Sequence, residues 1–137
     1  MILADTGPLV ALFDPKDALH GRCVTILKGI HEPISTTTPV LTEAFHMLDP
    51  QSVGSNRLRA FVAKGGLSIW FLDRERLSRA FELMEVYADH PMDLADASLI
   101  VAAEALGTQK VFTIDRKDFE TYRIRRGHRQ LSVRIVS

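Results

Sequence analysis

The stretch Met92 to Gly107, MDLADASLIVAAEALG, constrains the fold more than any other part of the chain. From Leu94 to Leu106 it is Ala-rich and nearly free of charge after Asp96. That predicts a helix buried on most of its circumference. Gly107 suits its C-terminal end. Two carboxylates, Asp93 and Asp96, stand three apart in the first turn and therefore share a face. Asp93 is a good N-cap, and an acid three residues later sits well against the positive end of the helix dipole. Capping accounts for Asp93 alone. Two like charges at the mouth of a buried helix ask what neutralises them.

The rest of the chain alternates short β-branched or apolar runs with amphipathic helical patterns. Strands are predicted over Met1–Ala4, Ile34–Thr37, Leu67–Leu72, Lys110–Ile114 and roughly Leu131–Val136. Helices are predicted over Leu9–Phe13, about Ala18–Ile30, from a Thr38 cap to Leu48, Val53–Lys64, Arg74–His90 and Leu94–Leu106. Thr6 is a candidate cap for the first helix with Pro8 in its first turn. Pro39 follows Thr38 as the first helical residue. Strands alternating with helices throughout imply an α/β fold, a parallel sheet with helices on both sides. With 137 residues the chain is expected to form one domain over its whole length.

That topology gives the acids a common destination. Asp5 follows the first strand, Glu43 lies in the helix after the second, Asp93 and Asp96 open the organising helix, and Asp115 follows the fourth strand. The carboxyl ends of parallel strands open into one crevice. Four or five acids gathered there cannot all stay ionised without a counter-charge, and Arg116 is the single basic residue beside them in sequence. Hard oxygen ligands suit Mg²⁺ or Mn²⁺ better than zinc. Such a site activates water and clamps the oxygens of a phosphoryl displacement. Thr6 and Thr113 stand where they can hydrogen-bond the ligating acids. Asp118 reads equally well as a cap of the turn that begins there and as an additional acid of the site. His46, three residues after Glu43, reads chiefly as a core or surface histidine.

Charge and composition remove several alternatives. The chain has 17 basic and 17 acidic residues, so net charge does not steer it toward nucleic acid, and any basic surface must be local. The one dense positive cluster is Arg123, Arg125, Arg126, His128 and Arg129. It can hold polynucleotide phosphates, or it can be a solvated hairpin that discourages edge pairing. The lone Cys23 excludes an internal disulfide and a cysteine zinc site, and reads as a small core residue. No apolar run is long enough to span a membrane, and a cytoplasmic setting is expected. Neither a GxSxG elbow nor a phosphate-cradling glycine loop is present. A signalling receiver would need paired acids after the first strand and a late lysine; Asp5 stands alone, and Asp73 has no such lysine.

The ordered set Asp5-Thr6-Gly7-Pro8-Leu9-Val10, Glu43, Asp93-Leu94-Ala95-Asp96-Ala97 and Thr113-Ile114-Asp115-Arg116-Lys117-Asp118-Phe119 resembles the PIN-domain ribonucleases, in particular the VapC toxins of type II toxin–antitoxin modules. The resemblance implies a three-layer α/β/α fold with a central, mainly parallel sheet. It also implies Mg²⁺- or Mn²⁺-dependent cleavage of RNA and inhibition by a cognate antitoxin inserted into the active site. Homodimerisation through the helices after the first two strands is implied as well. Asp5, Glu43, Asp96 and Asp115 match the family's acidic quartet, and Asp93 matches an extra acid found in part of it. Gly7 departs from the pattern, since many members carry Asn there. A PIN nuclease acting in RNA processing rather than as a toxin, and a catalytically silent binding module, are the competing expectations.

Overall fold

A computed structural model describes all 137 residues. Five parallel strands form the central sheet in the order β3-β2-β1-β4-β7: β1 (Ile2–Ala4), β2 (Ile34–Thr37), β3 (Ser68–Trp70), β4 (Lys110–Phe112) and β7 (Arg134–Val136). Between them run α1 (Thr6–Phe13), α2 (His20–Lys28), α3 (Thr38–Met47), α4 (Val53–Ala63), α5 (Arg74–Val86), α6 (Leu94–Leu106) and α7 (Arg116–Thr121). A separate antiparallel hairpin, β5 (Arg123–Arg126) with β6 (Arg129–Ser132), follows α7. The architecture is the expected α/β/α arrangement.

The two faces of the sheet bury different helices. Leu3 and Val111 belong to the larger core, which takes in most of α6 and parts of α3, α4 and α5. Ile2 and Phe112 join Ala11 of α1 and Cys23 of α2 in a smaller core on the other side. Cys23 is fully buried, the small core residue its surroundings require. From Ala97 to Ala103 every residue of α6 is buried. An Ala-rich helix can lie this close to a sheet because its side chains add little thickness. The one polar residue in that run, Ser98, shares a 2.6 Å hydrogen bond with Thr37 and donates to the Ala95 carbonyl at 2.7 Å. No buried side-chain polar atom lacks a partner, as a well-formed core demands.

Several boundaries differ from the sequence reading. Thr37, not Thr38, caps α3; its hydroxyl accepts from the Val40 N–H, and Pro39 stands second in the helix. Asp5, not Thr6, caps α1. Helix α5 ends at Val86 rather than His90. His90 precedes Pro91, and the proline ring disfavours helical backbone there. The run Leu131–Val136 is not one strand. It pairs with β5 as far as Ser132, then changes partner, and Arg134–Val136 lie beside β4. No helix is long and apolar enough to cross a membrane.

Candidate active site

All the strand-end acids face one crevice of about 550 Å³, which Asp5, Glu43, Asp93, Asp96, Asp115 and Asp118 line together. Three are N-caps. Asp5 caps α1 and accepts from the Thr6 N–H at 2.8 Å. Asp93 caps α6 and accepts from the Asp96 N–H at 2.8 Å. Asp115 caps α7 and accepts from the Asp118 N–H at 3.2 Å. The expected capping role of Asp118 thus falls to Asp115. Asp5 and Asp115 cap helices that directly follow β1 and β4, and Asp93 caps α6, which follows α5; in all three, the cap also lines the crevice, so capping and clustering are not rival explanations.

Threonine hydroxyls hold the inner wall. Thr113 donates to the second Asp5 oxygen at 2.8 Å, and its own oxygen accepts from the Asp115 N–H at 2.9 Å. The Thr6 hydroxyl donates to Glu43 at 2.8 Å, joining α1 to α3 across the crevice. Both threonines thus hydrogen-bond acids of the crevice. Only 7% of Asp5 is exposed. Burial pushes its carboxyl up to about 6; the Asp115 and Glu43 charges add to this, while the bonds from Thr6 and Thr113 oppose it. Asp96 is pushed up to about 7, first by burial and then by Asp93 and Asp5. Burial also raises Glu43, against the Thr6 bond and with the Asp93 charge. Asp115 rises through burial and the adjacent Asp118 carboxyl. Asp118 falls, held ionised by its bond with Asp115 and by His90.

No lysine or arginine lines the crevice. The chain therefore brings six acids together with no lysine or arginine among them. The donors are carboxylate and hydroxyl oxygens, the chemistry of a hard divalent ion. No three histidine, cysteine or acidic side chains are close enough to form a ready-made cage.

A PIN-domain family model matches residues 2–124. The chain belongs to the PIN-domain family. Among solved structures, this PIN domain is similar to the Mycobacterium tuberculosis toxin VapC20, which cleaves the sarcin-ricin loop. The TM-score is 0.74 and the identity 19%, over 86% of this chain and 92% of that one. It is also similar to a chain of a toxin–antitoxin complex from Klebsiella pneumoniae, with a TM-score of 0.69 and 18% identity over 88% and 92%. No curated protein sequence matches the chain.

The PIN domain does not bring every candidate to the crevice. The Arg125 N–H donates to Glu104 at 3.0 Å. Glu104 lies eight residues after Asp96, roughly 12 Å along α6 at the usual helical rise. A Cβ on Gly107, at the C-terminal end of α6, would lie 4.0 Å from the Arg126 guanidinium, and Arg126 pairs with Arg129 across the hairpin. Arg125, Arg126 and Arg129 therefore sit toward the opposite end of the organising helix. The Arg123 guanidinium donates to the Glu120, Thr121 and Tyr122 carbonyls, closing the end of α7. Arg116, the first residue of α7, is exposed beside the crevice and donates to Ser137 at 2.7 Å. Gly7 is matched by Ile114. A Cβ there would lie 2.7 Å from the Ile114 side chain, so that side chain takes the room a larger residue would need.

Two participants escaped the sequence reading. The Tyr122 hydroxyl donates to Asp96 Oδ2 at 3.0 Å. The His90 ring nitrogen Nε2 bonds Asp118 Oδ1. Burial and the facing Asp96 charge push the Tyr122 phenol far above its ordinary range, so it stays a donor. Tyr122 opens a basic run and His90 ends a helical pattern, and neither position carries a local signal of its partner. His46 does line the crevice, on the Glu43 side.

Proposed function

We propose that this PIN domain is a metal-dependent endoribonuclease that hydrolyses RNA phosphodiester bonds, and that it is the toxin of a VapBC-type toxin–antitoxin pair. The observation that carries the reading is six converging carboxylates with no protein cation among them. Asp5, Asp96, Asp93 and Asp115 would hold Mg²⁺ or Mn²⁺. When bound, such an ion lowers the pKa of a coordinated water and offsets charge on a phosphate. Asp5 is pinned on both oxygens, so its direction is set before anything binds. Glu43, anchored by Thr6 at the opposite wall, would take a proton from water attacking a phosphodiester. Asp118 fixes Asp115 through the α7 turn. Arg116 would meet a phosphate flanking the cut, whereas Arg123, Arg125, Arg126 and Arg129 would act on RNA through their field at longer range.

An antitoxin covering the crevice would restrain the activity, and a cytoplasmic setting agrees with an RNA substrate. The Klebsiella pneumoniae neighbour, itself part of a toxin–antitoxin complex, favours this over an RNA-processing role. An apolar groove of about 400 Å³ bounded by Leu41, Phe45 and Val62 lies on α3 and α4, among the helices expected to form a homodimer.

The test is expression with and without the adjacent gene, followed by mapping of cut RNA ends, with purified wild type and Asp96→Asn compared in Mg²⁺ and in EDTA. New ends that need both the metal and Asp96 are expected. Equal cleavage by Asp96→Asn would overturn the catalytic assignment, and growth indifferent to the adjacent gene would move the protein to RNA processing.

A further inference from the structure

Asp96 differs from Asp5 in how it is held. Asp5 accepts from a backbone N–H and a threonine hydroxyl, one on each oxygen. The Asp96 carboxylate accepts one hydrogen bond, from Tyr122 to Oδ2. Tyr122 is fully buried, and its ring is packed edge-on by three others. The centroids of Tyr87, Phe119 and His90 lie 5.1, 5.2 and 5.9 Å away, at interplanar angles of 70°, 81° and 88°. His90 is itself tied to Asp118, which draws the loop between α5 and α6 down onto α7. The phenol therefore has little freedom to swing away from Asp96. Nearby Tyr87 provides a contrast. Its hydroxyl accepts from the Arg123 N–H at 3.0 Å and serves the hairpin backbone.

We propose that Tyr122 is a positioning residue for the metal site: its hydroxyl occupies Oδ2 of Asp96 and turns Oδ1 toward the crevice and the cation, while His90 and Asp118 hold the ring in place. This rests on the reading of the crevice as a divalent-metal site. A carboxylate oriented in this way loses less freedom when it ligates, and partners of this kind commonly carry 10- to 100-fold in metal affinity.

The test uses Mn²⁺ alone, titrated calorimetrically into wild type, Tyr122→Phe, Tyr87→Phe and Asp96→Asn. Tyr122→Phe keeps the ring and its packing, so its melting temperature in EDTA should match wild type while Mn²⁺ binds about tenfold more weakly. Tyr87→Phe should bind Mn²⁺ as wild type does, which separates orientation of Asp96 from a general loss of a buried hydroxyl. If Asp96→Asn loses Mn²⁺ but Tyr122→Phe binds it like wild type, the positioning role is overturned and the metal site stands. If Asp96→Asn binds like wild type, the metal-site reading itself is overturned. Should Tyr122→Phe fail to fold, the ultraviolet difference spectrum of the wild type decides. A tyrosine signal on adding Mn²⁺ that Tyr87→Phe retains supports the role, and its absence overturns it.

Discussion

The two ends of α6 treat a carboxylate in opposite ways. Toward the C-terminal end, Glu104 receives Arg79 through two guanidinium nitrogens, both at 3.0 Å, and the Arg125 N–H as well. Arg79 also reaches Glu82 at 3.2 Å. At the N-terminal end, Asp96 meets Asp93 and Asp5 and has one neutral donor, Tyr122. One helix thus carries a matched acid and an unmatched one about two turns apart. The matched acid ties α5, α6 and the hairpin together. The unmatched one lies among like charges that oppose its ionisation. On the proposed function, the end where the charge is left open is the one that works on the substrate.

The largest effect should come from removing unmatched charge. Asp5→Asn or Asp96→Asn is expected to lower RNA cleavage by roughly a hundredfold or more, at or beyond what partners outside the ligand shell carry. The metal-free melting temperature should hold or rise, because a repelling charge is gone. Gel-resolved cleavage and a thermal melt in EDTA check both halves, and a collapsed melt would mean that these acids are structural after all.

Supplying the missing cation is the complementary experiment. Mn²⁺ at about 100 times its dissociation constant contributes about 2.7 kcal/mol, a rise on the order of 10 °C for a chain of this size. Asp96→Asn should lose most of that rise. No shift at millimolar Mn²⁺ would count against the site.

At the matched end, Glu104→Ala should cost about 2 kcal/mol. That lies between an exposed ion pair and a fully buried one, since the pair is partly covered and Arg79 retains Glu82. Denaturant melts should show the loss with Mn²⁺ affinity unchanged. A fall in Mn²⁺ affinity would show that the two ends are coupled.

Acidification of the metal-free protein gives a further signature of comparable size. Asp96 and Asp5 have native pKa values near 7 and 6, against about 3.9 in the unfolded chain. Between pH 7 and about 4 the native state therefore binds more protons than the unfolded state, and stability rises as pH falls. The gain should be on the order of 2–3 kcal/mol, most of it from buried Asp5, with the part from Asp96 discounted for its contact with solvent. Saturating Mn²⁺ should reverse the slope, because protons then compete with the metal. Melting temperatures across that window, with EDTA and with Mn²⁺, decide it.

The smallest expected difference lies among the arginines. Arg116→Ala should reduce the dependence of log RNA affinity on log salt by about 0.7, the contribution of one phosphate contact on a single strand. Arg126→Ala, at the far end of α6, should leave that slope nearly unchanged. Equal changes would bring the hairpin into the RNA path.

Periodicity alone determined the order of the elements, the parallel sheet and the acids at its strand ends, because an apolar repeat sets which face is buried and a strand end sets where the next residue points. The set Asp5, Glu43, Asp93, Asp96 and Asp115 was legible for that reason, and so were the threonines beside it. Tertiary structure alone decided that Tyr122 reaches Asp96, that His90 bonds Asp118, and that the arginine hairpin packs against Glu104 away from the crevice. Those contacts join residues 21 to 28 positions apart through the packing of α5, α6 and α7. Their geometry depends on how helices settle against one another, and no local spacing rule encodes it. The same holds for the tail, where Leu131–Val136 reads as one strand but divides between two sheets. Its two halves pair with different strands, β5 and β4, and a run of alternating residues does not state which strand it will find.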